Sequence, residues 1–166
     1  MTDTPLWKKM DWMEDMPCRL SPSDHCIYAR EYVSRGGFEA SETNDLITNY
    51  KIDVSCRGGP RWRHKKRAVN CFAKELVVLL DSDREFFVTA IPPSKKRGAE
   101  DYDPRFEMTF DLLTKALKNV HVITPVERKI SCQAVHHRDQ RPSIDEIYES
   151  LEWKDAPSGC YPYHFR

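Results

Sequence analysis

Residues Phe86 to Phe106 read FFVTAIPPSKKRGAEDYDPRF, and the change of character inside this stretch decides the fold. The opening residues are β-branched and aromatic, which predicts a short, nearly continuous apolar strand over EFFVTAI, of the kind buried on both faces of a parallel sheet. Pro92 and Pro93 end it. Ser94, Lys95, Lys96 and Arg97 form a polar, cationic loop, and the chain then restarts as a helix. Asp103 is a good N-cap, and Pro104 suits the first helical position because its missing N–H would find no partner there. Phe106, Phe110, Leu113 and Leu117 recur at steps of three and four, so the helix carries one apolar stripe.

Working outward, VHVITPV from Val120 is a second apolar strand whose pattern changes at Pro125. Strand, helix and strand with such short connections predict a right-handed parallel unit, the building block of an open α/β sheet. Upstream, Val69, Phe72, Leu76, Leu79 and Leu80 place an apolar stripe on a helix from about Trp62 to Leu80, with Pro60 just ahead of it and Asp81-Ser82-Asp83 after it. Residues 24–50 hold a Gly36-Gly37 turn and an Asn/Asp-rich stretch, and predict a loop-rich cap with short strands or helices. Residues 1–23, with Trp7, Met10 and Trp12 among charges and prolines, read as an irregular arm, and residues 24–166 as a single α/β domain. Past the second strand, ERKISCQAVHHRDQRPS reads as a long basic loop, Ile144, Ile147, Tyr148 and Leu151 as a short helix behind Ser143, and DAPSGCYPYHFR as a turn-rich tail.

The totals narrow the classes. At 166 residues and 40% hydrophobic the chain suits one compact domain. Lysines and arginines number 26, and aspartates and glutamates also 26, so affinity for a polyanion has to come from local clustering. No run approaches the apolar length of a membrane span, and Asp3, Asp11, Glu14 and Asp15 interrupt any signal-peptide core. These features predict a cytoplasmic protein that does not enter the membrane, with its six cysteines reduced. No CxxC pair occurs, and Cys132 with His136 and Cys160 with His164 lack a second matching half, so no metal site is expected.

Ligands of parallel sheets bind beyond the carboxyl ends of the strands, which singles out two loops. The first presents Ser94, Lys95, Lys96 and Arg97; the second presents Arg128, Lys129, His136, His137, Arg138 and Arg141. On one sheet edge they would form a phosphate or pyrophosphate pocket. A third basic cluster, Arg57, Arg61, Trp62, Arg63, Lys65, Lys66 and Arg67, interleaves cations with an aromatic ring and opens a nucleic-acid reading. The same residues also fit the start of a helix with Trp62 as a packing anchor, although cations there oppose the helix dipole and require another reason.

VTAIPPSKKRGAEDYDPRFEMTFDLL followed by PVERKISCQAVHHRDQRPSIDEIYESL resembles the competence-type phosphoribosyltransferase family, with YAREYVSRGGFEASETNDLITNYK as its amino-terminal portion. The likeness spans about residues 25–151. It implies a partial phosphoribosyltransferase-type parallel sheet flanked by helices. Ser94 and Lys95, with Lys96 and Arg97, would meet pyrophosphate, Arg128 would steady the phosphates, and His136, His137, Arg138 and Arg141 would form a flexible loop over the site. The implied ligand is phosphoribosyl pyrophosphate with Mg2+, and the implied reaction is displacement of pyrophosphate by a nucleobase through an oxocarbenium-like state. The family's acidic pair and Thr-Thr-Gly loop, expected just after Leu151, have no counterpart in EWKDAPSGCYPYHFR. The resemblance therefore implies either a protein partner or second copy that completes the open sheet edge, or a shortened relative without catalysis. A nucleic-acid-binding accessory protein and a structural partner subunit are the alternative readings.

Overall fold

The computed structural model describes residues 7–9, 26–132 and 143–154. Within them the chain is a mixed α/β protein in which three helices make the main layer and three two-stranded sheets lie at its margins. β1 (Lys8–Lys9) pairs antiparallel with β2 (Ile27–Tyr28), so these two residues of the arm lie against the cap. α1 spans Glu42–Tyr50, α2 Trp62–Leu80 and α3 Arg105–Ala116, and α2 packs against both of the others.

Within the loop-rich cap, α1 begins because Ser41 is an N-cap whose hydroxyl accepts the Asn44 N–H at 3.1 Å. Asn44 is buried, and its amide is fully used. Nδ2 donates to the carbonyls of Val33 (3.0 Å) and Gly37 (2.7 Å), and Oδ1 accepts from the Val33 N–H (2.9 Å). One side chain thus fastens the turn at residues 33–37 to the helix. Arg30 and Glu75 fasten the cap to α2 through a largely buried ion pair at 2.6 Å.

The expected α2 is present over its full predicted span. Its buried line runs through Trp62, Lys65, Val69 and Ala73, while Leu76, Leu79 and Leu80 are only half-buried. α3 starts one residue later than the capping pattern predicted: Pro104 occupies the cap position, and Asp103 accepts the Arg105 N–H at 3.1 Å from just outside the helix. Thr109 and Leu113 are its fully buried residues.

β3 (Phe86–Val88) and β4 (Val120–Val122) are parallel, in register Phe86 with Val120, Phe87 with His121 and Val88 with Val122. The parallel strand, helix, strand unit around α3 follows the sequence. The burial of its first strand does not: Phe87 is half-exposed and stacks beside His121 on an open face, since among the described residues no third strand or helix covers it. Beyond Pro125 the sequence departs from expectation again. β5 (Val126–Arg128) pairs antiparallel with β6 (Leu151–Trp153), so Val126 leaves the expected second strand, Glu127 and Arg128 the expected basic loop and Leu151 the expected short helix, and α4 (Ile144–Glu149) leads into β6 behind a Ser143–Glu146 capping box. No described helix is long and apolar enough to cross a membrane. Cys26, Cys56, Cys71 and Cys132 are free thiols. Of the loose Cys/His groupings, His136, Cys160 and His164 lie outside the described residues.

Candidate functional site

The carboxyl ends of β3 and β4 open onto a cleft of about 290 Å³, closed on one side by α3 and on another by β5. Its apolar wall comes from Phe106 and Phe110, one helical turn apart, together with Pro92 and Pro93. Its charged wall holds three cations, Lys95, Arg97 and Arg128, and three carboxylates, Glu107, Asp111 and Glu127. The two loops singled out by topology therefore meet in one place, because parallel strands deliver both of their following loops to the same edge.

Main-chain bonds hold these loops together. The Cys132 N–H donates to the Ser94 carbonyl at 2.7 Å, and the Lys96 N–H donates to the Ser131 hydroxyl at 3.0 Å. Ser94 and Lys96 thus join the loops and lie outside the cleft wall, whereas Lys95 and Arg97 line it. Arg128 is a bridge. Its Nε donates to the Pro93 carbonyl at 3.2 Å and its Nη1 donates to Ser150 Oγ, so one guanidinium ties the proline loop to the end of α4.

Two cations of the loop, Lys95 and Arg97, are matched within the protein. Lys95 pairs with Asp101. Arg97 reaches Glu107 at 2.9 Å and Glu127 at 3.9 Å, spanning from the loop to α3 and to β5. Glu107 also accepts the Tyr102 hydroxyl. Burial, and then the adjacent Glu107 carboxylate, push the Tyr102 phenol up to about 12, so it remains a hydroxyl donor. For Arg97 burial acts downward, and Glu107, Tyr102 and Glu127 outweigh it, raising the guanidinium above its ordinary value.

The basic segment before α2 is divided by the helix. Trp62 and Lys65 face inward, while Arg57, Arg61, Arg63, Lys66 and Arg67 are exposed. Trp62 is a packing anchor under the Arg57 and Lys65 cations, at 5.5 and 5.4 Å from its ring, and its ring is not open to a stacking base. That corrects the place of Trp62 and Lys65 in a nucleic-acid surface. Lys65 also supplies the reason for a cation early in α2. Its ammonium donates to the Tyr50 and Ile52 carbonyls at 3.0 and 2.8 Å, satisfying acceptors that the end of α1 leaves free, and to Asp103 at 2.8 Å. Burial lowers its pKa, against the pull of Asp103.

His136, His137, Arg138 and Arg141 lie outside the described residues. The sequence reading found the cations of the cleft and missed its acids and its aromatic wall. A signal existed: Phe106, Glu107, Phe110 and Asp111 fall at i, i+1, i+4 and i+5, which puts two apolar and two acidic groups side by side on the helix that follows the loop. Among the described residues no group of three or more His, Cys, Asp or Glu side chains converges on one point where a metal ion would sit. Compared with known proteins, the chain matches no family model, no curated protein and no solved structure.

Proposed function

We propose that the cleft beyond β3 and β4 binds a phosphorylated ribose or pyrophosphate, in the manner of a phosphoribosyltransferase-like protein. The observation that carries this reading is the meeting of Lys95, Arg97 and Arg128 in the wall of one small cavity at the carboxyl edge of a parallel pair. The cavity lies at the small end of the range of ligand pockets, roughly 300 to 1,000 Å³. That size suits one phosphorylated sugar rather than a polymer.

Lys95 and Arg97 would take the phosphate oxygens, since their loop brings them to the wall, while Arg128 keeps the loop in place. In a transfer reaction, negative charge accumulates on the departing pyrophosphate, and fixed cations beside it stabilise the transition state more than the ground state. Phe106 and Phe110 supply an apolar wall against which a sugar or base would pack. Magnesium is commonly held by one or two carboxylates plus substrate phosphates rather than by a protein cage. Asp111 in the cleft wall fits that use, and the ion would neutralise phosphate charge there.

The parallel pair has no third strand among the described residues, and the reading includes a partner chain or second copy adding one to its edge. Calorimetric titration with phosphoribosyl pyrophosphate and magnesium tests the ligand. The wild-type chain should bind, and Lys95→Ala with Arg97→Ala should weaken binding by about tenfold or more through loss of charge-assisted bonds. Absence of heat from the folded wild-type chain would abolish the proposal.

A further inference from the structure

Arg97 is the one cation of the cleft wall that reaches two carboxylates on two different elements, Glu107 of α3 at 2.9 Å and Glu127 of β5 at 3.9 Å. Both carboxylates are less exposed than the arginine, with side chains 32% and 29% exposed against 56%. The cation most accessible to a ligand is therefore the one already held by two acids. The wall as a whole has three cations and three carboxylates, so it offers no net attraction to a single negative charge.

We infer that Glu107 and Glu127 set the ligand class of the cleft by occupying Arg97 in the free protein, so that only a multiply charged anion such as a diphosphate displaces them. This rests on the anion-binding reading above and adds what that site selects. The physical reason is one of exchange. A monoanion that replaces one carboxylate at the guanidinium leaves the charge count around Arg97 unchanged and gains little. A diphosphate replaces both carboxylates with one ligand, and its further charge competes with Asp101 for Lys95 in the same wall. Glu127, at the longer distance, is the weaker hold and yields first. Glu107 and Glu127 both pull the Arg97 guanidinium upward, as their distances lead one to expect. Asp111 lines the same wall one helical turn beyond Glu107, and its charge is not directed at Arg97.

The test is a set of calorimetric titrations of the full chain with inorganic pyrophosphate and, separately, orthophosphate, without magnesium and at constant ionic strength, so that Asp111 has no metal to hold. The wild type should prefer pyrophosphate. Glu127→Gln should tighten orthophosphate by up to about fivefold, the ceiling for a partly exposed ion pair, and so narrow the preference. Glu107→Gln should act in the same direction, and Asp111→Asn should change both anions equally and less. In an Arg97→Gln background the effect of Glu127→Gln should vanish. Glu127→Gln leaves the Tyr102–Glu107 contact intact, so it remains informative if Glu107→Gln fails to fold. An unchanged pyrophosphate to orthophosphate ratio in folded Glu127→Gln overturns the inference, as does an equal narrowing with Asp111→Asn. In both of those cases the wild type still binds and the anion site stands. No heat with either anion from any folded variant overturns the inference and the anion site together.

Discussion

Lys65 and Asp103 meet at 2.8 Å although 38 positions separate them in sequence, and their contact joins α2 to the residue that starts α3. The lysine is fully buried and also holds the main chain at the end of α1. Three helices thus converge on one ammonium group. The position of α3 relative to α2, and with it the apolar wall of the cleft, depends on this junction.

Replacing Lys65 with methionine keeps most of the packing but leaves Asp103 and two carbonyls without their donor. Removing one partner of a buried ion pair costs about 3 to 5 kcal/mol. A urea titration should show that loss for Lys65→Met. The double variant Lys65→Met with Asp103→Asn should lose less than the two single losses added together, because the second change removes an uncompensated charge. Full additivity would mean that the two groups act independently.

Arg30 and Glu75 form the second largely buried pair, and here the acid is the more deeply buried partner. Arg30→Ala strands that acid and should cost about 3 to 5 kcal/mol. Combining it with Glu75→Gln should restore part of the loss. The comparison is a thermal or denaturant midpoint for the two proteins, and a double variant no more stable than Arg30→Ala would refute it.

Alongside Tyr50, whose pKa burial also raises, a fall in stability at alkaline pH should come from Tyr102. Its phenol has a folded pKa of about 12 against an ordinary value of 10.0. Above the ordinary value the unfolded chain releases this proton while the folded chain keeps it, so the unfolded state binds fewer protons and stability decreases as pH rises. The contribution is complete below about pH 10 and is lost through about pH 12. Denaturant midpoints measured across this window should fall less steeply for Tyr102→Phe than for the wild type. Lys65 acts with the opposite sign, since its lowered pKa makes the folded state the one that releases its proton early, and it is present in both proteins.

Gly36 is a position where space forbids a side chain. A Cβ there would lie 2.5 Å from the Ala40 Cβ and 3.0 Å from a Val33 methyl carbon. Gly36→Ala should destabilise the chain by about 1 to 3 kcal/mol through overpacking. The neighbouring Gly37 has open space but a φ of 69° with ψ at −174°, a region essentially reserved for glycine, so Gly37→Ala should cost about 1 to 3 kcal/mol through backbone strain alone. Thermal melts of the two variants beside the wild type check both losses, and an unchanged midpoint for either variant would refute its cause.

The sequence by itself determined the extent of α2, the existence of α3, and the parallel placement of the strands on either side of it. Each of these rests on local information: the spacing of apolar side chains, a proline that cannot continue a strand, and an aspartate that takes the first free N–H of a helix. It also located the cleft, because a parallel pair puts the loops that carry Lys95, Arg97 and Arg128 on one edge whatever the detailed packing.

Tertiary structure alone decided how those charges are used. Nothing in the local pattern distinguishes the buried Lys65 from the exposed Lys66, or the bridging Arg128 from a solvated arginine, since each role is set by partners 13 or more positions away. The same holds for the β5–β6 ribbon, whose two strands have no strong apolar alternation and exist through pairing with one another. Long-range contacts bring fixed opposite charges and backbone acceptors to a side chain, and these decide whether a cation carries the fold or awaits a ligand.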